Sequence, residues 1–122
     1  MSSERKSGKK QAGRGPMPAE ALELIAARFR ALGEPMRLRL LSALMEGPRS
    51  VTRLVEETGA GQANVSKHLA VLRQASMVQF RKEGPVTIYF IADPLIERLC
   101  GLMCTGLKKE LAERAARLGE QG

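Results

Sequence analysis

The hydrophobic period of the chain changes near residue 77, and this change limits the folds open to it most strongly. In the segment 62–74, apolar residues recur at i, i+4 and i+7, the spacing of one face of a helix. In the segments 78–81 and 86–90, apolar and polar residues alternate, as they do in a β-strand. The intervening segment 82–85 contains Gly-Pro and favours a turn. A helix followed directly by a β-hairpin is therefore predicted.

Three further helices are predicted before that pair and one after it. Gly33 ends the first helix, and Pro35 suits the first turn of the second because its missing N–H is not needed there. Ser50 is the predicted N-cap of the third helix, and Gly59-Ala60-Gly61 separates the third from the fourth. The last helix extends from Pro94 to about Leu118. The predicted fold is mainly α with a β-hairpin wing: a winged helix-turn-helix of four helices, two strands and a fifth helix.

Length and charge suggest one domain with a polyanionic partner. The 122 residues have room for one core, which we place in residues 18–118. The formal net charge is +7, and +4 of it lies in residues 1–16, within a segment 1–17 that we expect to be a disordered basic tail. A basic excess favours nucleic acid, because neutralising phosphates releases counterions. The sequence contains no apolar run long enough for a membrane helix and no secretory signal, so we expect no membrane association and a cytoplasmic location.

The fourth predicted helix has the composition of a DNA-recognition helix. Its outward positions combine small residues, which permit close approach to base edges, with hydroxyl, amide and ammonium groups that bind bases or phosphates. A polar outer face on a short helix is also typical of ordinary surface, but the hairpin that follows favours DNA binding. The predicted DNA-binding residues are Gln62, Ala63, Asn64, Ser66, Lys67, His68 and Arg73 from the helix, and Arg81 and Lys82 from the hairpin. His68 lies at the edge of the buried stripe, where a hydrogen-bonded histidine is more typical than a metal ligand.

Two motifs carry a family resemblance. The sequence FRALGEPMRLRLL over residues 29–41 resembles the signature of ArsR/SmtB-type repressors, and QANVSKHLAVL over 62–72 resembles their recognition helix. ASMV at 75–78 stands where that family usually has A-G-L-V. The resemblance covers about residues 19–112. It implies a homodimeric repressor that binds a palindromic operator, dimerises through its first and last helices and releases DNA when an inducer binds. Arg37 belongs to the signature, as a phosphate contact or as a residue that holds the second helix.

Known ligand sets of the family are incomplete in this sequence. The third predicted helix has no C-x-C motif. In the zinc pattern of the last helix, Asp93 fits the first position, but Leu95, Gly106 and Lys109 replace the other ligands. The family's dithiol sensors have a cysteine on the second helix, and here there is none. A zinc, nickel or conventional dithiol sensor is therefore disfavoured.

Cys100 and Cys104 are the remaining candidates for sensing. At i and i+4 their side chains face the same way, about 5–6 Å apart at Cβ, so two thiolates there suit arsenite, antimonite or another thiophilic ion. Oxidation, persulfide chemistry or an intersubunit disulfide is an alternative. A purely structural interpretation is that the cysteines are small apolar residues of a dimer interface. We expect Cys104 to be more accessible than Cys100.

Other functions remain open at this point. The chain suits an inducer-responsive DNA-binding repressor, an effector-independent DNA binder or a winged-helix module that contacts protein. An acidic outer face on the fourth helix would favour the protein-binding module, but Ser66 and Lys67 argue against it. An enzyme is disfavoured, because the sequence has one histidine, no P-loop and no dinucleotide-binding glycine motif.

Overall fold

The computed structural model describes residues 15–121, so most of the predicted basic tail lies outside the described residues. The described chain forms five helices and three strands in one compact arrangement. In chain order they are α1 (Ala19–Leu32), α2 (Pro35–Met45), β1 (Arg49–Ser50), α3 (Val51–Thr58), α4 (Gln62–Gln74), β2 (Val78–Glu83), β3 (Val86–Ile91) and α5 (Pro94–Gln121). The predicted winged helix-turn-helix is confirmed, with one additional strand.

The helix boundaries follow from local capping chemistry. Gly33 caps α1, and Pro35 occupies the first turn of α2. The Ser50 hydroxyl accepts a hydrogen bond from the Arg53 backbone N–H at 3.0 Å and so caps α3. Gly59 ends α3 at φ +73°, a left-handed conformation that glycine adopts without steric cost. The chain can therefore reverse sharply between α3 and α4.

The sheet has three strands in the order β1-β3-β2, all antiparallel. Strands β2 and β3 form the predicted hairpin, in register from Val78↔Ile91 to Glu83↔Val86. Strand β1 was not predicted, because two residues are too few to show an alternating pattern. In this strand, Arg49 lies directly opposite Tyr89 of β3. The base of the wing is therefore joined to the segment that leads into α3.

The two faces of the hairpin differ in what they contact. The body face, which carries Val78, Phe80 and Lys82 on β2, begins with the fully buried Val78. On β3 the same face carries Tyr89 and Ile91, which pack against the core. The outer face carries the alternate residues, including the apolar set of β3. These are Gln79, Arg81 and Glu83 on β2 and Val86, Ile88 and Phe90 on β3.

The core is aliphatic and centres on α2 and α4. The predicted buried stripe of α4 is confirmed, since Val65, Leu69 and Leu72 are all 0% exposed. Other buried apolar residues come from every helix and from the start of β2, and they are Ala31, Leu40, Leu41, Leu44, Leu54, Met77, Val78, Ile96 and Cys100. Burying a Leu or Val side chain stabilises a fold by about 1.5–3 kcal/mol. The inner side of α4 is thus held firmly while its outer side is exposed.

Much of α1 and α5 is apolar yet exposed in the single chain. On α1, Leu22 and Phe29 are 52% and 58% exposed. Along the 28-residue α5, only the part near Ile96 and Cys100 is buried. The exposed apolar residues beyond it are Leu102, Met103, Leu107, Leu111 and Leu118. Among the helices within residues 15–121, none combines the length and apolar character required to span a membrane.

Arg37 connects three helices. From α2, its Nε donates to the Ala31 carbonyl at 2.6 Å and its Nη2 donates to the Arg30 carbonyl at 3.2 Å, both at the end of α1. Its Nη1 lies 3.1 Å from Nδ1 of His68 on α4. Because the guanidinium is always protonated, Nδ1 must accept, which places the ring proton on Nε2. Arg37 therefore caps α1 and holds α4 against α2.

Ser76 carries backbone strain at the junction of α4 and β2. Its φ is +62°, a left-handed conformation that a residue with a Cβ adopts at a cost of about 1 kcal/mol. Its N–H donates to the Arg73 carbonyl at 2.9 Å. The glycine that the resembled family usually has at this position would relieve that strain. The strained turn brings the chain from α4 directly into the wing.

Removal of the Arg37 side chain should destabilise the fold. We expect Arg37→Ala to lower the free energy of unfolding by about 2–3 kcal/mol, because it leaves two carbonyls and a buried imidazole without their charged donor. The urea midpoint, measured by circular dichroism, tests this. Arg39→Ala, on an exposed residue of the same helix, is the control and should change stability by less than about 0.5 kcal/mol. Equal effects of both variants would contradict the role of Arg37.

Candidate nucleic-acid interface

The exposed side of α4 forms a continuous polar surface with small residues at its centre. Of the first six residues of α4, all but the buried Val65 are exposed: Gln62, Ala63, Asn64, Ser66 and Lys67. Ala70 continues this surface one turn further along. Thirteen residues give a helix about 20 Å long, which fits within a DNA major groove. We refer to these six residues as the recognition face.

The turn before α4 fixes the angle at which that face is presented. The Thr58 hydroxyl donates to the Leu54 carbonyl at 2.7 Å and accepts from the Ala60 N–H at 3.3 Å. Together with the left-handed Gly59, these bonds replace the helical bonds that end with α3. The turn therefore has defined geometry and does not act as a loose linker. The arrangement of α3 and α4 is that of a helix-turn-helix.

The charge of α4 suits a polyanion. The helix contains no Asp or Glu, while it contributes Lys67 and Arg73. An acidic partner surface or a phosphate backbone would meet no repulsive carboxylate along it. The acidic outer face that would have favoured a protein-binding module is absent from this helix.

His68 lies apart from the other predicted residues. It is only 9% exposed, and its ring points into the contact with Arg37, 3.8 Å from a Glu34 carboxylate oxygen. The prediction that placed His68 among the DNA contacts is not supported by this geometry, because Leu69 and His68 share the inner side of α4. The three guanidinium nitrogens of Arg37 bind protein acceptors, so the structure favours its structural role over a phosphate contact.

The wing cations are exposed but locally engaged. Nε of Arg81 lies 2.9 Å from a Glu83 carboxylate oxygen, an ion pair within the same strand. Nζ of Lys82 donates to the Thr87 hydroxyl at 2.9 Å across the hairpin. Because side chains alternate along a strand, Arg81 and Lys82 point to opposite faces of the wing. Both were predicted to bind DNA, and the strand period places them on different faces.

Arg73 joins the recognition helix to the wing. Its guanidinium carbon lies 4.3 Å from the centroid of the Phe80 ring, a cation–π contact. Phe80 in turn packs on Tyr89, with ring centroids 5.5 Å apart. Arg73 was predicted from the sequence to be a DNA-binding residue of the helix. Its aromatic partner could be found only once the strand register was known.

The two cysteines have different surroundings. Cys100 is buried and Cys104 is exposed, as expected for their relative accessibility. Burial raises the pKa of the Cys100 thiol, and the adjacent Cys104 raises it further. Cys100 therefore stays protonated at neutral pH in the single chain. Among residues 15–121, no group of three or more His, Cys, Asp or Glu side chains is placed to hold a metal ion.

Comparison with known proteins agrees with the fold. Residues 34–79 match the model of the bacterial regulatory protein family named arsR. An uncharacterized HTH-type transcriptional regulator of Mycobacterium tuberculosis is 38% identical over 102 residues, which covers 82% of this chain and 90% of that protein. A "Probable mercury resistance operon repressor" of Streptomyces lividans is 35% identical over 83 residues, covering 68% of this chain and 66% of that protein.

A solved structure is similar over the same region. The homodimeric winged helix-turn-helix DNA-binding domain of a possible ArsR-family regulator from Mycobacterium bovis superposes with a TM-score of 0.73 at 28% identity. The match covers 82% of this chain and 94% of that domain. The match of the family model to α2–β2, the extended similarity to the mycobacterial regulator and the shared fold agree with one another. The chain belongs to the ArsR family of bacterial transcriptional regulators, which bind DNA and are not enzymes.

Proposed function

We propose that the protein is a repressor that binds a palindromic operator as a homodimer and places the recognition face of α4 in the major groove. The observation that carries this proposal is the recognition face itself, which is exposed, free of carboxylates and backed by a fully buried stripe. Gln62 and Asn64 have amide groups suited to adenine, and Lys67 suits guanine or phosphate. Family membership supports DNA binding, while the operator contacts are our proposal.

The dimer is proposed from the uncovered apolar surfaces of α1 and α5. Cys104, Leu107, Leu111 and Leu118 follow the three- and four-residue spacing of a helix–helix seam. Leaving such a stripe in water is unfavourable, and a second copy offers the same stripe about a two-fold axis. The related domain from Mycobacterium bovis is homodimeric, which supports this choice of partner. A two-fold dimer would present two copies of α4 to two half-sites.

Loss of Lys67 should weaken DNA binding selectively. A suitable probe is a duplex of about 30 base pairs selected from a random pool, since that length holds two half-sites one helical turn apart. For the parent protein we expect a steep negative slope of log K against log salt, measured by fluorescence anisotropy. Lys67→Ala should reduce the slope by about 2 if Lys67 binds phosphate, because the dimer loses one contact in each protomer, or lose about 1–3 kcal/mol of sequence discrimination per half-site if it binds guanine.

The matched control removes a cation from another helix. Lys109 is exposed on α5, and Lys109→Ala should retain both the slope and the discrimination of the parent. A flat salt response of the parent protein, or equal losses in the two variants, would contradict DNA binding through α4.

We further propose that a thiophilic inducer acts at Cys100 and Cys104 and releases the operator. Support comes from their i, i+4 spacing, from the exposure of Cys104 and from its place on the α5 seam. Across a two-fold axis the partner helix would supply further sulfur ligands for arsenite, antimonite or a soft metal ion. The similarity to a mercury resistance operon repressor is consistent with this chemistry. An inducer bound in the seam would alter the spacing of the two recognition helices.

Substitution of Cys104 should prevent release. Reduced protein bound to the selected duplex is titrated with arsenite, cadmium or a persulfide donor while anisotropy is followed. The parent should dissociate and Cys104→Ser should stay bound, with Cys100→Ser intermediate or also bound. Less cadmium should be needed as the pH rises, because the raised pKa of Cys100 means that Cd²⁺ must displace the thiol proton, which leaves to solvent.

The outcome also separates regulated from unregulated DNA binding. If both serine variants dissociate as readily as the parent, the thiols are structural. If no reagent releases the parent protein, the chain is an effector-independent DNA binder.

A further inference from the structure

We propose that the two wing cations have different roles: Lys82 extends the DNA-binding surface of α4 and is positioned by the Arg73–Phe80 contact, whereas Arg81 is held by Glu83 on the other side of the wing. This inference rests on the proposed DNA binding and assigns the wing contact within it. One line of side chains runs from α4 to the tip of the hairpin.

The line begins on the outward side of α4. Ser66, Ala70 and Arg73 lie at i, i+4 and i+7, so they share one stripe of the helix. All three are exposed. Ser66 and Ala70 belong to the recognition face, so Arg73 is the point where that face reaches the last turn of α4. The surface that faces DNA therefore ends beside the wing.

The next step crosses from α4 to the sheet. Arg73 stacks on Phe80, which is only partly buried at the middle of β2. Phe80 is directly opposite Tyr89 on β3, and Tyr89 is directly opposite Arg49 on β1. Nε of Arg49 lies 3.3 Å from the carboxylate of Glu57 on α3. The wing is thus connected to α4 through the Arg73–Phe80 contact and to α3 through β1 and the Arg49–Glu57 ion pair.

Lys82 is the next residue on the same face. It is two positions beyond Phe80, about 7 Å further toward the tip, because alternate residues of a strand point the same way. It is exposed, and its acceptor is the neutral hydroxyl of Thr87. Its positive charge is therefore not offset by that partner. A cation held beyond the end of α4 is well placed to meet the phosphates that flank the groove.

Arg81 differs in both direction and charge. It projects from the outer face, where its guanidinium carbon lies 5.7 Å from the centroid of the Phe90 ring. The Glu83 carboxylate on the same face pairs with it at 2.9 Å. The net charge of the Arg81–Glu83 pair is zero, and the Glu83 carboxylate would repel a phosphate brought to Arg81. The local ion pair removes Arg81 from the electrostatic surface that α4 and Lys82 share.

The first experiment compares the slopes of log K against log salt on the selected duplex. Lys82→Gln should lower the slope by about 2, because the bound homodimer loses one phosphate contact in each protomer. The double variant Arg81→Gln/Glu83→Gln removes the whole ion pair and should lower the slope by less than half as much. A parent protein with no salt-dependent binding would overturn the proposed function itself. A parent with a steep slope in which the double variant loses as much as Lys82→Gln, or more, would overturn only this inference.

The second experiment tests whether Phe80 acts through Lys82. Phe80→Leu keeps an apolar side chain but removes the ring, and it should lower the slope as Lys82→Gln does, with no further loss when the two are combined. Phe80→Tyr keeps the ring and should restore the parent slope. Phe90→Leu makes the same change on the outer face and should not alter the slope. If Phe80→Leu lowers the melting temperature but leaves the slope unchanged, Phe80 is only a packing residue and its positioning role is overturned.

Discussion

The guanidinium of Arg37 determines how the helices that carry the function are arranged. It caps the end of α1 through two carbonyls and contacts His68 on the inner side of α4. Hydrogen bonds from a charged donor in a partly buried site contribute more than neutral ones. Arg37 thereby connects α1, which carries exposed apolar residues, to α4, which presents the recognition face.

Most of the fold could be predicted because short-range chemistry specifies it. The cap at Ser50, the proline at Pro35 and the stripe of α4 each depend on residues within about two turns, and all three are confirmed. Strand β1 could not be predicted, since its two residues acquire strand geometry only by pairing with β3. The apolar surfaces of α1 and α5 follow helical spacing but remain exposed, because a single chain has nothing to cover them.

The sequence predicts the exposed positions of α4 but not the contacts between α4 and the wing. Positions on the outward side of α4 follow from helical period alone, and the exposed residues there match it. His68 lies at the margin of the buried stripe, as its position in the sequence indicates, but 100° per residue does not decide between the core and the DNA side there. The separation of Arg81 from Lys82, and the contact of Arg73 with Phe80, require knowledge of strand faces and of packing between α4 and β2. Such contacts between distant segments leave no local pattern.

The central claim is that two chains dimerise through α1 and α5 and bind one operator through two copies of α4. The number of chains bound per operator tests this claim most directly. Native mass spectrometry of the full-length chain with the selected duplex would measure it. Two chains, each of 13.3 kDa, should bind one duplex, and Leu107→Lys in the α5 seam should abolish that complex while the isolated chain stays folded. One chain bound per duplex, or a two-chain complex that Leu107→Lys leaves intact, would contradict a DNA-binding dimer formed through α1 and α5.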